Sequence, residues 1–211
     1  MCVPVCVAPN QSILASNRDE FLARPASPAQ WRTVQGPNGR ETSVLCGLDS
    51  LAGGTWLAVT RNGAFSVLTN VTEEPRPTVD EQGRPLQSRG ELVLAWLEAQ
   101  QSAPSVDEAS VLDSLHRMRQ RYAGFNLLVG SVHGAEIHLG HVSNRGEATM
   151  PLLTGANTGP TGGMSNSTWS TPWPKIEHGQ AHLQQVLKET RTTQDALIHR
   201  LFDVLRYDED R

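Results

Sequence analysis

No stretch of this 211-residue chain approaches the roughly 18 consecutive apolar residues that a bilayer-spanning helix requires. The opening Met1-Cys2-Val3-Pro4-Val5-Cys6-Val7 has neither a basic start nor a long apolar run, so the reading is a protein without a secretion signal or transmembrane segment. Basic runs longer than a pair are missing too. With 18 Lys plus Arg against 22 Asp plus Glu and a net charge of -4, neutralising a nucleic-acid backbone is not its business. The three cysteines, Cys2, Cys6 and Cys46, form no CxxC and cannot all pair, which fits a reducing, cytoplasmic compartment. GxGxxG, G-K-[ST] and HExxH are absent, and no cofactor or metal is expected. His138 and His141 stand three apart on an expected strand, which sends them to opposite faces and argues against a shared ion.

What the chain does have is turn chemistry: 18 Gly and 13 Pro at 38% hydrophobic content, more punctuation than a helix bundle needs. Residues 3–7 and 13–16 are short β-compatible runs, with Pro4 restricted to a strand start or an edge. The runs 55–60 and 64–69 flank Asn62-Gly63, a strong hairpin signal. After a Pro-rich connector, Ser88-Arg89-Gly90-Glu91 reads as a capping box opening a helix with Leu92, Val93, Trp96 and Leu97 on one face. The box repeats at Ser105-Val106-Asp107-Glu108 before a helix over 107–121. Strands follow at 125–130 and 135–142, joined across His133-Gly134, and Asn144-Arg145-Gly146 marks the next turn. The Gly/Thr/Asn-rich stretch 154–167 is expected to be loop, and helices are expected at 174–190 and 193–206. This order predicts one α+β domain over residues 1–211, with a largely antiparallel sheet.

Three features could carry chemistry. Removal of Met1 leaves Cys2 with its thiol beside its own α-amine, whose pKa of about 7.7–8.0 suits a general base for that thiol; equally, a Cys after Met can be an accident of translation. In Asn17-Arg18-Asp19-Glu20, a turn could bring Arg18 and Asp19 into one pocket, whereas a regular strand end would leave them solvated; the following Phe21-Leu22-Ala23-Arg24-Pro25 suggests an anchored segment. Trp56, Trp169 and Trp173, set among rigid turn residues, could line an apolar ligand groove or serve a tight turn and a helix entry, with Pro174 near the first helical position.

Met1-Cys2, Asn17-Arg18-Asp19-Glu20-Phe21 with Arg24-Pro25, Gly53-Gly54-Thr55-Trp56-Leu57, Leu68-Thr69-Asn70-Val71, Ser88-Arg89-Gly90-Glu91-Leu92, Gly124-Phe125-Asn126-Leu127-Leu128 and Ser165-Asn166 with Thr171-Pro172-Trp173-Pro174-Lys175 together resemble the NRDE family. The resemblance implies a four-layer αββα sandwich like that of amino-terminal-nucleophile hydrolases. It assigns Cys2 as nucleophile, Arg18 and Asp19 as its positioning groups, and Asn70 and Asn166 as oxyanion donors. It also implies a role in secretion, Golgi organisation, mitochondrial function and lipid, acyl-CoA or haem homeostasis, with haem or an acyl-CoA as small-molecule ligand; a Cys2-dependent amidase or thioesterase is the alternative. Against the family pattern, Pro4 interrupts an apolar strand, and the sequence ends without the family's closing strand, so the sheet is expected to be short of it.

Overall fold

A computed structural model describes residues 3–8, 11–18, 20–101, 107–134, 136–146, 149–154, 161–189 and 193–206. The Asn62-Gly63 signal forms its hairpin: β5 (Leu57–Val59) and β6 (Phe65–Asn70) pair antiparallel, and Gly63 takes the left-handed φ of +87° that the turn demands. The next strands, β7 (Phe125–His133) and β8 (Glu136–Ser143), meet around Gly134 as expected. Two strands precede this core, β3 (Ala26–Gln35) and β4 (Glu41–Asp49), and β9 (Thr149–Thr154) follows it. All seven form one antiparallel sheet in sequence order, β3-β4-β5-β6-β7-β8-β9.

A second, three-stranded sheet takes the order β10-β1-β2, from β10 (Thr161–Met164), β1 (Val3–Ala8) and β2 (Gln11–Leu14). Pro4 sits near the start of β1 opposite Gly163, one residue before the β2 pairing begins at Val5, so its missing N–H leaves the β1–β2 ladder intact.

Helices cover the outer face of each sheet. On the larger one, α1 (Gly90–Gln101) and α2 (Glu108–Met118) pack Leu92, Trp96, Leu97, Leu112 and Leu115 against Val44, Phe125, Leu127 and Val129. Trp96, Leu92, Leu97 and Phe125 are fully buried, which at roughly 1.5–3 kcal/mol each makes this the chief source of stability. On the smaller sheet, α3 (Pro174–Lys188) and α4 (Gln194–Leu205) bring Leu183, Leu187, Leu197 and Leu201 to Ile13. Between the sheets lie Val67, Leu128 and Met164, with Leu14, Trp56, Leu57, Phe65 and Trp169 against them. Helix, sheet, sheet, helix: the αββα sandwich is the observed architecture.

Some local expectations are corrected. Asp107, not Ser105, caps α2, accepting from the Ser110 N–H at 3.3 Å; Ser105 lies outside the described residues. At α1 no side-chain bond of the expected box is found among the described residues, and Glu91 N–H instead closes a backbone turn on the Ser88 carbonyl at 3.2 Å. The stretch 154–167 is not all loop, because β10 lies within it. The β3–β4 hairpin, unforeseen from the sequence, is clipped at residues 36–40 by the buried Glu98 carboxylate of α1, which accepts from Asn38 N–H, Asn38 Nδ2 and Arg40 N–H at 3.0–3.1 Å. The expectation about the last residues, 207–211, lies outside the described part.

Candidate functional site

One cleft gathers most of the singled-out motifs. It has a volume of about 650 Å³ and receives Arg18 and Glu20 from the segment after β2, Asp49 and Trp56 from the ends of the β4–β5 connection, Asn70 from the end of β6, Arg76 from the next connector, Arg89 from the entry to α1, and Asn166 from beyond β10. A second, apolar space of about 460 Å³ adjoins it, lined by Pro28, Leu45, Cys46, Leu57 and Val59, and shares Arg18 and Trp56 with it.

Local structure explains each position. Asn17 Nδ2 donates to the Leu205 carbonyl at 2.6 Å, tying the segment after β2 to the end of α4. The Arg18 guanidinium then lies 4.6 Å from the centre of the Trp56 ring, and its buried Nη2 has no hydrogen-bond partner among the described residues. Arg24 sends Nε and Nη2 to Asp49 Oδ2, both at 2.7 Å, while Asp49 Oδ1 accepts from the Leu51 and Ala52 N–H groups. Burial pushes the Asp49 carboxyl up, but these bonds outweigh it and hold the carboxyl below its ordinary range. The segment is thus anchored through Arg24. Of the stretch Phe21-Leu22-Ala23-Arg24-Pro25 that suggested an anchor, Arg24 supplies it, while Phe21 and Leu22 are exposed.

Gly54 and Gly90 make the junction possible. A Cβ on Gly90 would stand 2.9 Å from the Gly54 Cα and 3.0 Å from the Thr55 nitrogen, so only glycine lets the start of α1 touch this turn. That contact delivers Arg89, whose Nη1 donates to the Gly124 carbonyl at 2.9 Å. Burial, aided by Arg76 and Arg24, pushes the Arg89 guanidinium down to about 10, so it stays charged at neutral pH. The nearby Glu73 is committed elsewhere, to Arg145 and to the Gly124 N–H. Arg89 and Arg76 therefore have no carboxylate partner among the described residues, an arrangement that favours an anion in the cleft.

Asn70 and Asn166 come together: Asn166 Nδ2 donates to the Asn70 carbonyl at 3.0 Å, and the Thr72 N–H returns to the Asn166 carbonyl at 2.8 Å. Sequence reasoning missed what places them. Buried Asn126 Nδ2 donates to the Ser165 and Ser167 carbonyls at 3.3 and 2.8 Å, and Thr69 Oγ1 to the Ser165 carbonyl at 2.8 Å, fastening the segment after β10 to the larger sheet. Arg76 and Arg89 were missed as site residues too, the latter because its motif reads as a helix start.

Of the remaining candidates, Cys2 and Asp19 lie outside the described residues. Trp56 lines the cleft. Trp169 packs between the sheets with His141, ring centres 5.1 Å apart, and Trp173 caps the start of α3 under Lys175; neither lines the cleft. His138 bonds Glu108 at 2.6 Å beneath α2 while His141 faces the inter-sheet layer, on opposite faces as expected. Among the described residues no cluster of three His, Cys, Asp or Glu could hold a metal ion, and no helix is long and apolar enough to cross a membrane.

A family model described as Transport and Golgi organisation 2 matches residues 1–211. The chain belongs to the Transport and Golgi organisation 2 family. This is the family that the NRDE motifs resembled. The human Transport and Golgi organization protein 2 homolog is 35% identical over 98% of this chain and 69% of its own length. Its mouse counterpart is 33% identical with the same coverage, and Drosophila melanogaster Transport and Golgi organization protein 2 is 29% identical over 83% of this chain and 59% of its own. Among solved structures, a Caenorhabditis elegans N-acylethanolamine-hydrolyzing acid amidase ortholog aligns over the whole chain and 88% of its own, at 13% identity and a TM-score of 0.47, a likeness too distant to carry an argument. For this family member, then, the cleft and not the alignment supplies the chemistry.

Proposed function

We propose that this protein serves intracellular trafficking, in protein secretion and Golgi organisation, by holding an amphipathic anionic ligand such as an acyl-CoA or haem in its cleft. The observation that carries the reading is the pairing of a desolvated cation, Arg89, beside Arg76 and Arg18, with an adjoining apolar space behind Trp56. A phosphate- or carboxylate-bearing head satisfies the arginines, and an acyl chain or porphyrin fills the apolar space. On this reading the protein works in the cytoplasm and at mitochondria or Golgi, where such ligands are exchanged. Titration with palmitoyl-CoA and with haem, followed by Trp fluorescence, tests it: saturable quenching is expected, reduced in Trp56→Phe and weakened in Arg89→Leu. No saturable response to either ligand refutes it.

A second reading is favoured by one specific observation, that Arg18, Asn70 and Asn166 line the same cleft. With Met1 removed, the Cys2 thiol would pass its proton to the α-amine and add to an amide or thioester carbonyl, the proton then leaving with the amine or thiol. Retention of Met1, read by intact mass, eliminates this mechanism. If Met1 is gone, labelling by a small electrophile should vanish in Cys2→Ala and persist in Cys46→Ala, since Cys46 is buried and burial pushes its thiol up.

A further inference from the structure

The most exposed large apolar side chains among the described residues sit close in the chain to residues that line the cleft. Phe21 is 84% exposed, Leu22 105% and Leu51 68%. They sit at the tips of two turns that are locked to each other. The first turn closes through Arg24 N–H to the Phe21 carbonyl at 2.9 Å, the second through Leu51 and Ala52 N–H to Asp49. The Arg24–Asp49 ion pair and a bond from Ser50 N–H to the Pro25 carbonyl at 3.1 Å join them. Val79, also exposed, stands on the connector whose Arg76, Pro77 and Thr78 line the same cleft. Consecutive large apolar residues held in water on rigid turns mark an interaction surface.

The charge beside them is the opposite of the chain's own. Four arginines line the cleft against two carboxylates, Glu20 and Asp49. Both carboxylates pair with Arg24, leaving Arg18, Arg76 and Arg89 without an ion-pair partner among the described residues, in a chain of net charge -4. The cation excess is therefore local to the wall of the cleft, with Arg76 exposed at its edge.

We infer that this rim docks on an anionic lipid bilayer, with Phe21, Leu22 and Leu51 entering the boundary between headgroups and acyl chains and Arg76 facing lipid phosphates. Convex apolar tips flanked by cations suit a bilayer, which yields around a protrusion; a protein partner would have to supply a matching hollow. Docked in this way, the cleft opens onto the membrane surface.

Co-sedimentation of the full chain with phosphatidylcholine vesicles, and with vesicles that also contain phosphatidylserine, tests the inference. Partition onto the anionic vesicles is expected, weakening as salt rises. The double variant Phe21→Ser/Leu22→Ser should bind about tenfold more weakly or worse, and Arg76→Glu should lose the preference for anionic lipid. The double variant's thermal melting should be unchanged, because both side chains are already in water, so lost binding is not lost folding. Absence of wild-type binding to either vesicle overturns the inference, as does equal binding of wild type and double variant. A dimer in size-exclusion chromatography that the double variant abolishes, with vesicles ignored, gives the patch to a second copy and equally overturns it. The vesicles carry no cleft ligand, so this result stands apart from the carrier reading.

Discussion

His141 should make this protein acid-sensitive by an amount that can be worked from its surroundings. The ring lies 2% exposed in the inter-sheet layer against Trp169, and neither ring nitrogen has a hydrogen-bond partner among the described residues. Burial pushes its pKa from the ordinary 6.5 down to about 4. Below pH 6.5 the unfolded chain takes up a proton that the folded chain refuses, so stability is full above that value and falls as pH drops toward about 4. The slope approaches about 1.4 kcal/mol per pH unit, and the loss reaches about 3 kcal/mol across the interval. Carboxylates such as Asp49 also lose their partners in acid, so the assay must isolate the histidine. Urea unfolding of wild type and His141→Leu, measured at several pH values between about 7.5 and 4.5, does so. The leucine nearly matches the volume and has no polar atom to strand, so the variant should equal or exceed wild type at neutral pH and lack this portion of the acid slope. Parallel stability curves for the two proteins would refute the argument.

Three other expectations concern the scaffold around the cleft. Glu98→Ala strands three donors of the β3–β4 turn and should lower stability by about 3 kcal/mol, seen as a thermal midpoint several degrees lower, with Glu98→Gln milder. Gly90→Ala drives a Cβ into the Gly54–Thr55 backbone; overpacking of about 1–3 kcal/mol outweighs the gain of up to about 1 kcal/mol in helix propensity, so a raised urea midpoint would contradict the close contact. Asn126→Ala removes the bonds that hold residues 165–167 and should cost about 2–3 kcal/mol in urea unfolding while weakening ligand quenching through Asn166.

The sequence made some of this legible and hid the rest for identifiable reasons. Asn62-Gly63 and the heptad-like Leu92, Val93, Trp96 and Leu97 announce themselves because turn geometry and burial act within a few residues. Strand β3 does not, because Pro28, Gln30 and Arg32 sit on a mostly exposed edge strand with no apolar alternation to detect. Strand β10 reads as loop through Gly162 and Gly163, yet the second of them suits the packing: a Cβ on Gly163 would meet Ile176 at 3.0 Å. The Thr154–Ser167 stretch therefore hides a strand whose register is set by β1, far away in sequence. In the site, Arg18, Asn70 and Asn166 were recognisable as motif residues and do converge. The desolvated charge of Arg89 was not, since it arises only in the fold, where Glu73 turns to Arg145 and burial lowers the guanidinium pKa.

The two sheets also differ in how far along the chain their partners lie. The larger is a meander in which every strand pairs with the next strand in the chain, most of them across short turns and only β6 and β7 across the two helices between them. The smaller begins as locally, with the β1–β2 hairpin, but is completed only when Val3 finds Met164 on β10, a partner that lies beyond the whole meander in the chain. The segment that carries Arg18 into the cleft leads out of that sheet, and Asn17 is tied to the end of α4, 188 residues away in the chain. Two long-range ties, β1 to β10 and Asn17 to the end of α4, thus fix the wall of the cleft that carries Arg18, while Arg89 is held by Gly124, nearer to it in the chain. One wall of the cleft therefore depends on contacts that span nearly the whole described chain, and loosening the end of α4 should be felt at Arg18.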